Sequence, residues 1–121
     1  MGEAVRKRFE QPDETRTFEN GLLEGVTLAR SKAGRATLQP GWRWSLSVKP
    51  VVGTDSCEAH HVGYAVSGSL HVVTTDGEEL EIAAGDVCEI LPGHDAWVVG
   101  DQSFQGLEFQ GTTVETYAKA K

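Results

Sequence analysis

The sequence predicts a single all-β domain, built as an antiparallel sandwich, jelly roll or barrel. Short apolar segments recur about every 8 to 12 residues with Gly, Asp or Pro between them, which is typical of antiparallel folds. The chain has 14 glycines, and Asp76-Gly77 is a hairpin-turn signal between two of these segments. Helical periodicity of apolar residues nowhere exceeds about two turns.

The clearest strand signal is the segment in which Trp42, Trp44, Leu46 and Val48 alternate with polar residues. Alternation with period two predicts a strand with one buried face. We expect the two tryptophans in the core, with the alternative that an indole lines a ligand pocket. The other strands are predicted over residues 22–30, 59–66, 70–75, 80–83, 86–91, 96–99 and 104–109.

The 121 residues are enough for one domain with a real core. Residues 1–20 are polar and charged, and we interpret them as an N-terminal arm. Residues 21–111 hold the strand signals and form the predicted barrel. Residues 112–121 are a C-terminal tail that forms one helical turn or frays.

Charge and cysteine content exclude several classes of protein. With 11 basic and 18 acidic residues, the net charge is −7, so neither nucleic acid nor an anionic membrane is an expected partner. No apolar run approaches the roughly 18 residues of a membrane span, and the first residues lack the apolar core of a secretory signal. Two cysteines do not make a disulfide scaffold, so a cytoplasmic protein is predicted.

Residues 53–101 contain two short groups of glycines and possible metal-ligating residues with regular spacing. Counted backward from Gly68, possible metal-ligating side chains occur at His61, Cys57 and Asp55. The arrangement resembles the first motif of the cupin superfamily, small β-barrels that usually hold a metal ion, and the resemblance implies that these three positions are ligand positions. The resemblance implies a single-domain antiparallel jelly-roll β-barrel.

The second group resembles the second motif of the family, with its glycines at Gly85 and Gly93, but the histidine position of that motif holds Ala96. His94 lies two residues earlier, and residues two apart on a strand share a face. The runs PGWRW and LPGHDAWVVGD are similar to those of small one-domain bacterial cupins.

Cys57, His61 and His94 are therefore the predicted metal ligands. A thiolate with two imidazoles suits zinc, and iron, copper or nickel less well. Three protein ligands with an open fourth position are typical of catalytic zinc. Asp55 is predicted to be a fourth ligand, an acid/base group or only a turn residue, and His94 is the second candidate catalytic residue.

Small side chains beside the ligands predict room for a substrate. The predicted pocket residues are Trp42, Trp44, Ala59, Gly63 and Ala96. We expect a small metal-dependent enzyme with isomerase, lyase or cyclase-type chemistry on a small organic acid or carbonyl compound. The alternatives are a non-catalytic cupin that binds or senses a small ligand, and a metal-free degenerate barrel.

The face of the predicted motif strand opposite His61 carries His60, Val62, Tyr64 and Val66. Such a face is too apolar to stay in water, so the leading strands or a second subunit must cover it. Cupins commonly dimerise through a sheet, and the resemblance therefore implies a homodimer.

Overall fold

The computed structural model describes residues 4–111 and 117–119, which form nine β-strands and two one-turn α-helices. In chain order these are β1 Glu14–Phe18, β2 Gly21–Thr27, β3 Lys32–Leu38, α1 Trp44–Ser47, α2 Lys49–Val52, β4 His61–Ser67, β5 Ser69–Thr74, β6 Glu79–Ala83, β7 Val87–Ile90, β8 His94–Val98 and β9 Phe104–Gly111.

The strands form two antiparallel sheets, which confirms the predicted all-β class. One sheet has six strands in the order β1-β2-β3-β9-β4-β7, and the other has three in the order β6-β5-β8. Apolar side chains from both sheets form one buried cluster, including Leu23 from the larger sheet and Val72 from the smaller. Burial of these side chains is the main favourable term in folding.

Two strands, β1 and β3, lie outside the segments predicted as strands. β1 falls within the predicted arm over residues 1–20 and pairs along its whole length with β2. β3 is a central strand between β2 and β9. Its residues are mostly small or polar, and Ala33 and Leu38 are its buried apolar side chains. Its position in the sheet therefore depends on its neighbours more than on its own hydrophobicity.

The strand predicted from Trp42 to Val48 is wrong, because α1 occupies Trp44–Ser47 and α2 follows it from Lys49. Trp44, Ser47 and Val48 are buried, whereas Leu46 is 64% exposed. Ser47 and Val48 follow Trp44 by three and four residues, and these spacings place side chains on one face of a helix. Pro50 lies in the first turn of α2, where its missing N–H costs no helical hydrogen bond.

None of the helices in the described residues combines the length and hydrophobicity needed to cross a membrane.

The apolar face opposite His61 is partly exposed to solvent in this chain. Tyr64 and Val66 on β4 are each 41% exposed, and Val87 on the neighbouring edge strand β7 is 79% exposed. Phe109 on β9, the other neighbour of β4, is 52% exposed.

Candidate metal centre

Three metal-ligating side chains meet inside the fold. Cys57 precedes β4, His61 begins β4 and His94 begins β8. One ligand atom from each lies within 4.8 Å of the other two. Cys57 and His94 are each 3% exposed. The structure thus brings together the three residues that the sequence predicts as ligands.

Backbone hydrogen bonds fix Cys57 beside His94. The Cys57 N–H donates to the His94 carbonyl oxygen at 2.7 Å, and the Gly93 N–H donates to the Cys57 carbonyl oxygen at 2.7 Å. Gly93 has a φ of 98°, a conformation that favours glycine. The turn before His94 therefore sets the start of β8 against the loop that carries Cys57.

Hydrogen bonds at Nδ1 of both imidazoles orient the rings. His61 Nδ1 donates to the Glu108 carboxylate on β9, and His61 Nε2 lies 3.6 Å from Cys57 Sγ. His94 Nδ1 lies 2.9 Å from the carbonyl oxygen of Leu91. A carbonyl oxygen can only accept, so His94 Nδ1 carries the proton and Nε2 keeps its lone pair. Nε2 is thus the nitrogen through which each histidine could bind a metal ion.

Glu108 belongs to the candidate site, and the sequence analysis missed it. It is buried, with 9% exposure, and no motif position singled it out. Alternation in β9 buries Phe104, Gly106 and Glu108 on one face. A buried carboxylate at an inward position was therefore the available signal.

Gly63 allows Glu108 to lie this close to β4. A Cβ at Gly63 would overlap the Leu107 carbonyl oxygen and would lie 2.7 Å from Glu108 Oε2. The register of β4 against β9 shifts between Val62 and Gly63. Close approach of the two strands at this irregularity brings the carboxylate to His61.

Charge coupling dominates the electrostatics of the centre. Burial would raise the pKa of the Cys57 thiol, but hydrogen bonds from His61 and His94 lower the pKa from 9.0 to about 6. Burial would lower the pKa of His61, but Cys57 and Glu108 raise it from 6.5 to about 10. Without a metal, Cys57 and His61 therefore form a thiolate–imidazolium pair at neutral pH. A metal ion that binds there must displace the His61 proton.

The three ligands lie in the wall of a cavity of about 70 Å³. A buried water needs about 10–15 Å³ on such a measure, so several waters or one small organic molecule would fit. The cavity is lined by Ala36, Leu38, Trp42, Trp44, Cys57, His61, Leu70, Ile90, His94, Ala96, Phe104, Gly106, Glu108 and Tyr117.

Three predicted pocket residues, Trp42, Trp44 and Ala96, line this cavity. Ala59 and Gly63 are not among the lining residues, although both are buried. Asp55 is exposed and does not line the cavity either. The structure therefore does not bring these three residues to the cavity wall.

Tyr117 is the second residue that the sequence analysis missed. Its ring lies 5.8 Å from that of His61 and 5.7 Å from that of Phe18, between centroids. Its carbonyl oxygen accepts a hydrogen bond from Arg16 at 2.8 Å. Burial, with the nearby Cys57 and Glu108 charges, raises the pKa of the Tyr117 phenol, so it stays neutral. The rest of the predicted tail, 112–116 and 120–121, lies outside the described residues.

The donor set fits a divalent metal ion. Thiolate and imidazole are ligands of zinc and of the late transition metals, and a carboxylate on the far nitrogen of a ligating histidine is a common supporting contact. The group of Cys57, His61 and His94 could therefore hold a metal ion.

Comparison by sequence finds no match among protein-family models or curated proteins. Comparison of structures finds many similar chains. A cupin 2 conserved barrel domain protein from Salinispora arenicola matches with a TM-score of 0.58 and 18% identity, over 88% of this chain and 87% of that one. A predicted oxalate decarboxylase from Thermotoga maritima matches with a TM-score of 0.53 and 18% identity, over 88% and 96%.

A third similar structure is the formate complex of Lactobacillus farciminis oxalate decarboxylase. It has a TM-score of 0.57 and 22% identity over 79% of this chain, which spans 30% of that longer protein. At these identities the similarity concerns the fold. The two antiparallel sheets and these neighbours agree with the family resemblance of the sequence, and the chain is a small protein of the cupin fold.

Proposed function

We propose that this chain is a metal-dependent cupin that holds zinc through Cys57, His61 and His94 and takes a small organic acid or carbonyl compound in the adjoining cavity. The observation that carries the proposal is the meeting of three ligand atoms within 4.8 Å in the wall of that cavity. The formate held by the Lactobacillus farciminis neighbour is a ligand of the same chemical class.

Zinc is the proposed ion because one thiolate and two imidazoles form a borderline-soft set. Iron, copper and nickel are the alternatives. Three protein ligands leave a further position open for a ligand oxygen. When bound, a divalent ion of this kind polarises a carbonyl or carboxylate oxygen as a Lewis acid.

The residues of the chain have separate tasks in this proposal. Glu108 holds the proton on His61 Nδ1 and so directs Nε2 toward the ion. The Leu91 carbonyl oxygen does the same for His94. Apolar wall residues such as Leu38 and Phe104 lower the polarity around the ligand group, which strengthens electrostatic interactions in the cavity.

The reaction class proposed is isomerase, lyase or cyclase-type chemistry. A non-catalytic ligand-binding cupin is the second candidate, and the makeup of the wall favours it. The described part of the wall has five titratable side chains. Three are the proposed metal ligands, Glu108 is bonded to His61, and Tyr117 stays neutral, so each is a poor candidate for a general acid or base in catalysis. Catalytic roles for Asp55 and His94 stay predictions, and the exposed position of Asp55 gives its role no support.

Elemental analysis of untagged protein, purified without chelator, tests the metal site. We expect about one zinc ion per chain in the wild-type protein. Cys57→Ala and His61→Ala should fall well below that value while circular dichroism stays that of the folded chain. Cys88→Ala is the matched control, because Cys88 is a half-buried thiol outside the cavity wall and should leave the metal content unchanged.

Two results would contradict the metal site. One is full metal occupancy in His61→Ala. The other is a wild-type protein that contains no metal and gains no thermal stability when zinc, iron, copper or nickel is added, since binding to the folded state alone must raise its stability.

A further inference from the structure

The indole N–H of Trp42 is a buried donor that has no acceptor among the described residues. Trp42 is 3% exposed and lines the cavity beside the three ligands. Its Nε1 makes no hydrogen bond to any residue in 4–111 or 117–119. Buried indole N–H groups usually find a partner, so an unpartnered one at a cavity wall indicates a ligand position.

The backbone holds Trp42 firmly in place. The Trp42 N–H donates to the Gln39 carbonyl oxygen at 3.0 Å, and the Trp42 carbonyl oxygen accepts from the Val98 N–H at 3.1 Å. The residue before it, Gly41, has a φ of 96° and makes the turn into this position. The backbone of Trp42 is therefore ordered before any ligand arrives, which lowers the entropy cost of binding.

Most of the cavity wall offers a ligand no hydrogen bond. Ala36, Leu38, Leu70 and Phe104 are among its apolar members. A neutral donor in such surroundings selects for an acceptor, because a ligand without one leaves the N–H unpaired.

We propose that Trp42 determines specificity by donating its indole N–H to an acceptor oxygen of a small organic acid, whose other oxygen faces the group of Cys57, His61 and His94. This inference rests on the proposed metal site for the position of the second oxygen. It extends that proposal by naming the residue that recognises the ligand. Ligands that only donate hydrogen bonds, such as ammonium groups, are excluded at Trp42.

The test uses the three indole N–H signals of the zinc-loaded, nitrogen-15-labelled protein during titration with acetate, propionate and butyrate. Phe substitutions at Trp42, Trp44 and Trp97 assign the signals, and those at Trp44 and Trp97 suffice if Trp42→Phe fails to fold. We expect a saturable downfield shift of the Trp42 signal. Trp97, stacked on His71 with ring centroids 4.7 Å apart and absent from the cavity wall, should not move.

Trp42→Phe should weaken propionate binding by up to about tenfold, the value of one neutral hydrogen bond, without changing the zinc content. Trp97→Phe should leave both unchanged. A stationary Trp42 signal at saturating ligand, unaltered affinity in folded Trp42→Phe, or no saturable binding of any of the three acids would overturn the inference.

Zinc content measured on the same samples separates the two proposals. If zinc is present and the Trp42 signal does not respond, only the role of Trp42 fails. If zinc is absent, the metal site fails, and titration of the metal-free protein still decides whether Trp42 recognises the acid.

Discussion

The contact between Glu108 and His61 decides how the ligand group is oriented. A histidine ring can bind a metal through either nitrogen. Nδ1 of His61 donates a hydrogen bond to the Glu108 carboxylate and is therefore not the nitrogen that would bind a metal. Nε2 is then left on the side of Cys57 Sγ. A partly formed site is therefore present in the chain before any ion arrives.

Glu108→Gln should lower zinc affinity by about 10- to 100-fold, because the amide keeps the size of the side chain but loses the charge that supports His61. Competition with a chromophoric chelator measures the change. Glu79→Gln is the control, since Glu79 pairs with the surface imidazole of His71 at 2.8 Å. Equal affinity in Glu108→Gln and in the wild type would show that the carboxylate does not support the ligand.

The metal-free protein should contain one thiolate at neutral pH. The folded pKa of Cys57 is about 6, below the ordinary 9.0, so the thiolate is present above pH 6 and is lost as the pH falls through that value. Its imidazolium partner persists up to about pH 10. Ultraviolet thiolate absorbance measured against pH checks this.

The two cysteines provide the control for that titration. Cys57→Ser should lose the neutral-pH signal. Cys88→Ser should keep it, because burial raises the pKa of Cys88 and that thiol stays protonated. If the neutral-pH signal disappears in Cys88→Ser, the thiolate is Cys88 and the prediction for Cys57 is wrong.

At the scale of one residue, the grouping of Cys57, His61 and His94 was predictable, and the contact of His61 with Glu108 was not. Cys57, His61 and His94 occupy or adjoin recognisable motif positions. Glu108 reaches His61 only because the register between β4 and β9 shifts at Gly63. Such a shift depends on the pairing of two distant strands, which no local pattern encodes.

At the scale of the element, the segment around α1 shows why short patterns mislead. Tryptophans two residues apart fit a strand, and the burial of Trp44, Ser47 and Val48 fits a helical turn equally well over so few residues. Contacts with the rest of the fold decide the outcome. The Ser45 N–H donates to Asp95 Oδ1 at 3.1 Å, which ties the helix to β8.

Two substitutions in α1 distinguish the helix from the predicted strand. Trp44→Ala should reduce the free energy of unfolding by about 3–5 kcal/mol, because Trp44 is 1% exposed. Leu46→Ala should change it by no more than about 0.5 kcal/mol, because Leu46 is mostly exposed. Denaturant unfolding measures both. In a strand Leu46 would share the buried face of Trp44, and its replacement would then be costly.

At the scale of the whole molecule, an apolar face around β4 is exposed. Tyr64, Val66, Val87 and Phe109 lie on three adjacent strands that end at the sheet edge β7. β1, from the predicted arm, lies at the opposite edge of the same sheet. It therefore does not cover this face, and we propose that a second copy of the chain does.

Light scattering at micromolar concentration should give twice the chain mass of 13.1 kDa. Val87→Arg should give the mass of one chain, because it places a charge on the exposed edge strand. Leu80→Arg is the control, since Leu80 is 50% exposed but lies on β6 in the other sheet. A monomeric wild-type protein would contradict the dimer.

The antiparallel class was predictable because turn signals and strand spacing are local and repeated along the chain. The limits of the folded unit were not, because they depend on contacts between residues far apart in sequence. Arg16 and Phe18 both contact Tyr117, about a hundred residues away. A polar composition is therefore a poor guide to which residues belong to the packed structure.

That contact has a practical consequence for anyone who trims the chain for expression or crystallisation. Cutting to residues 21–111, the part with the strongest strand signals, would remove Tyr117 from the cavity wall together with Arg16 and Phe18 that hold it. All three ligands would survive the cut. Weak metal retention or weak ligand binding by such a fragment would then reflect an opened wall and say nothing against the ligands themselves.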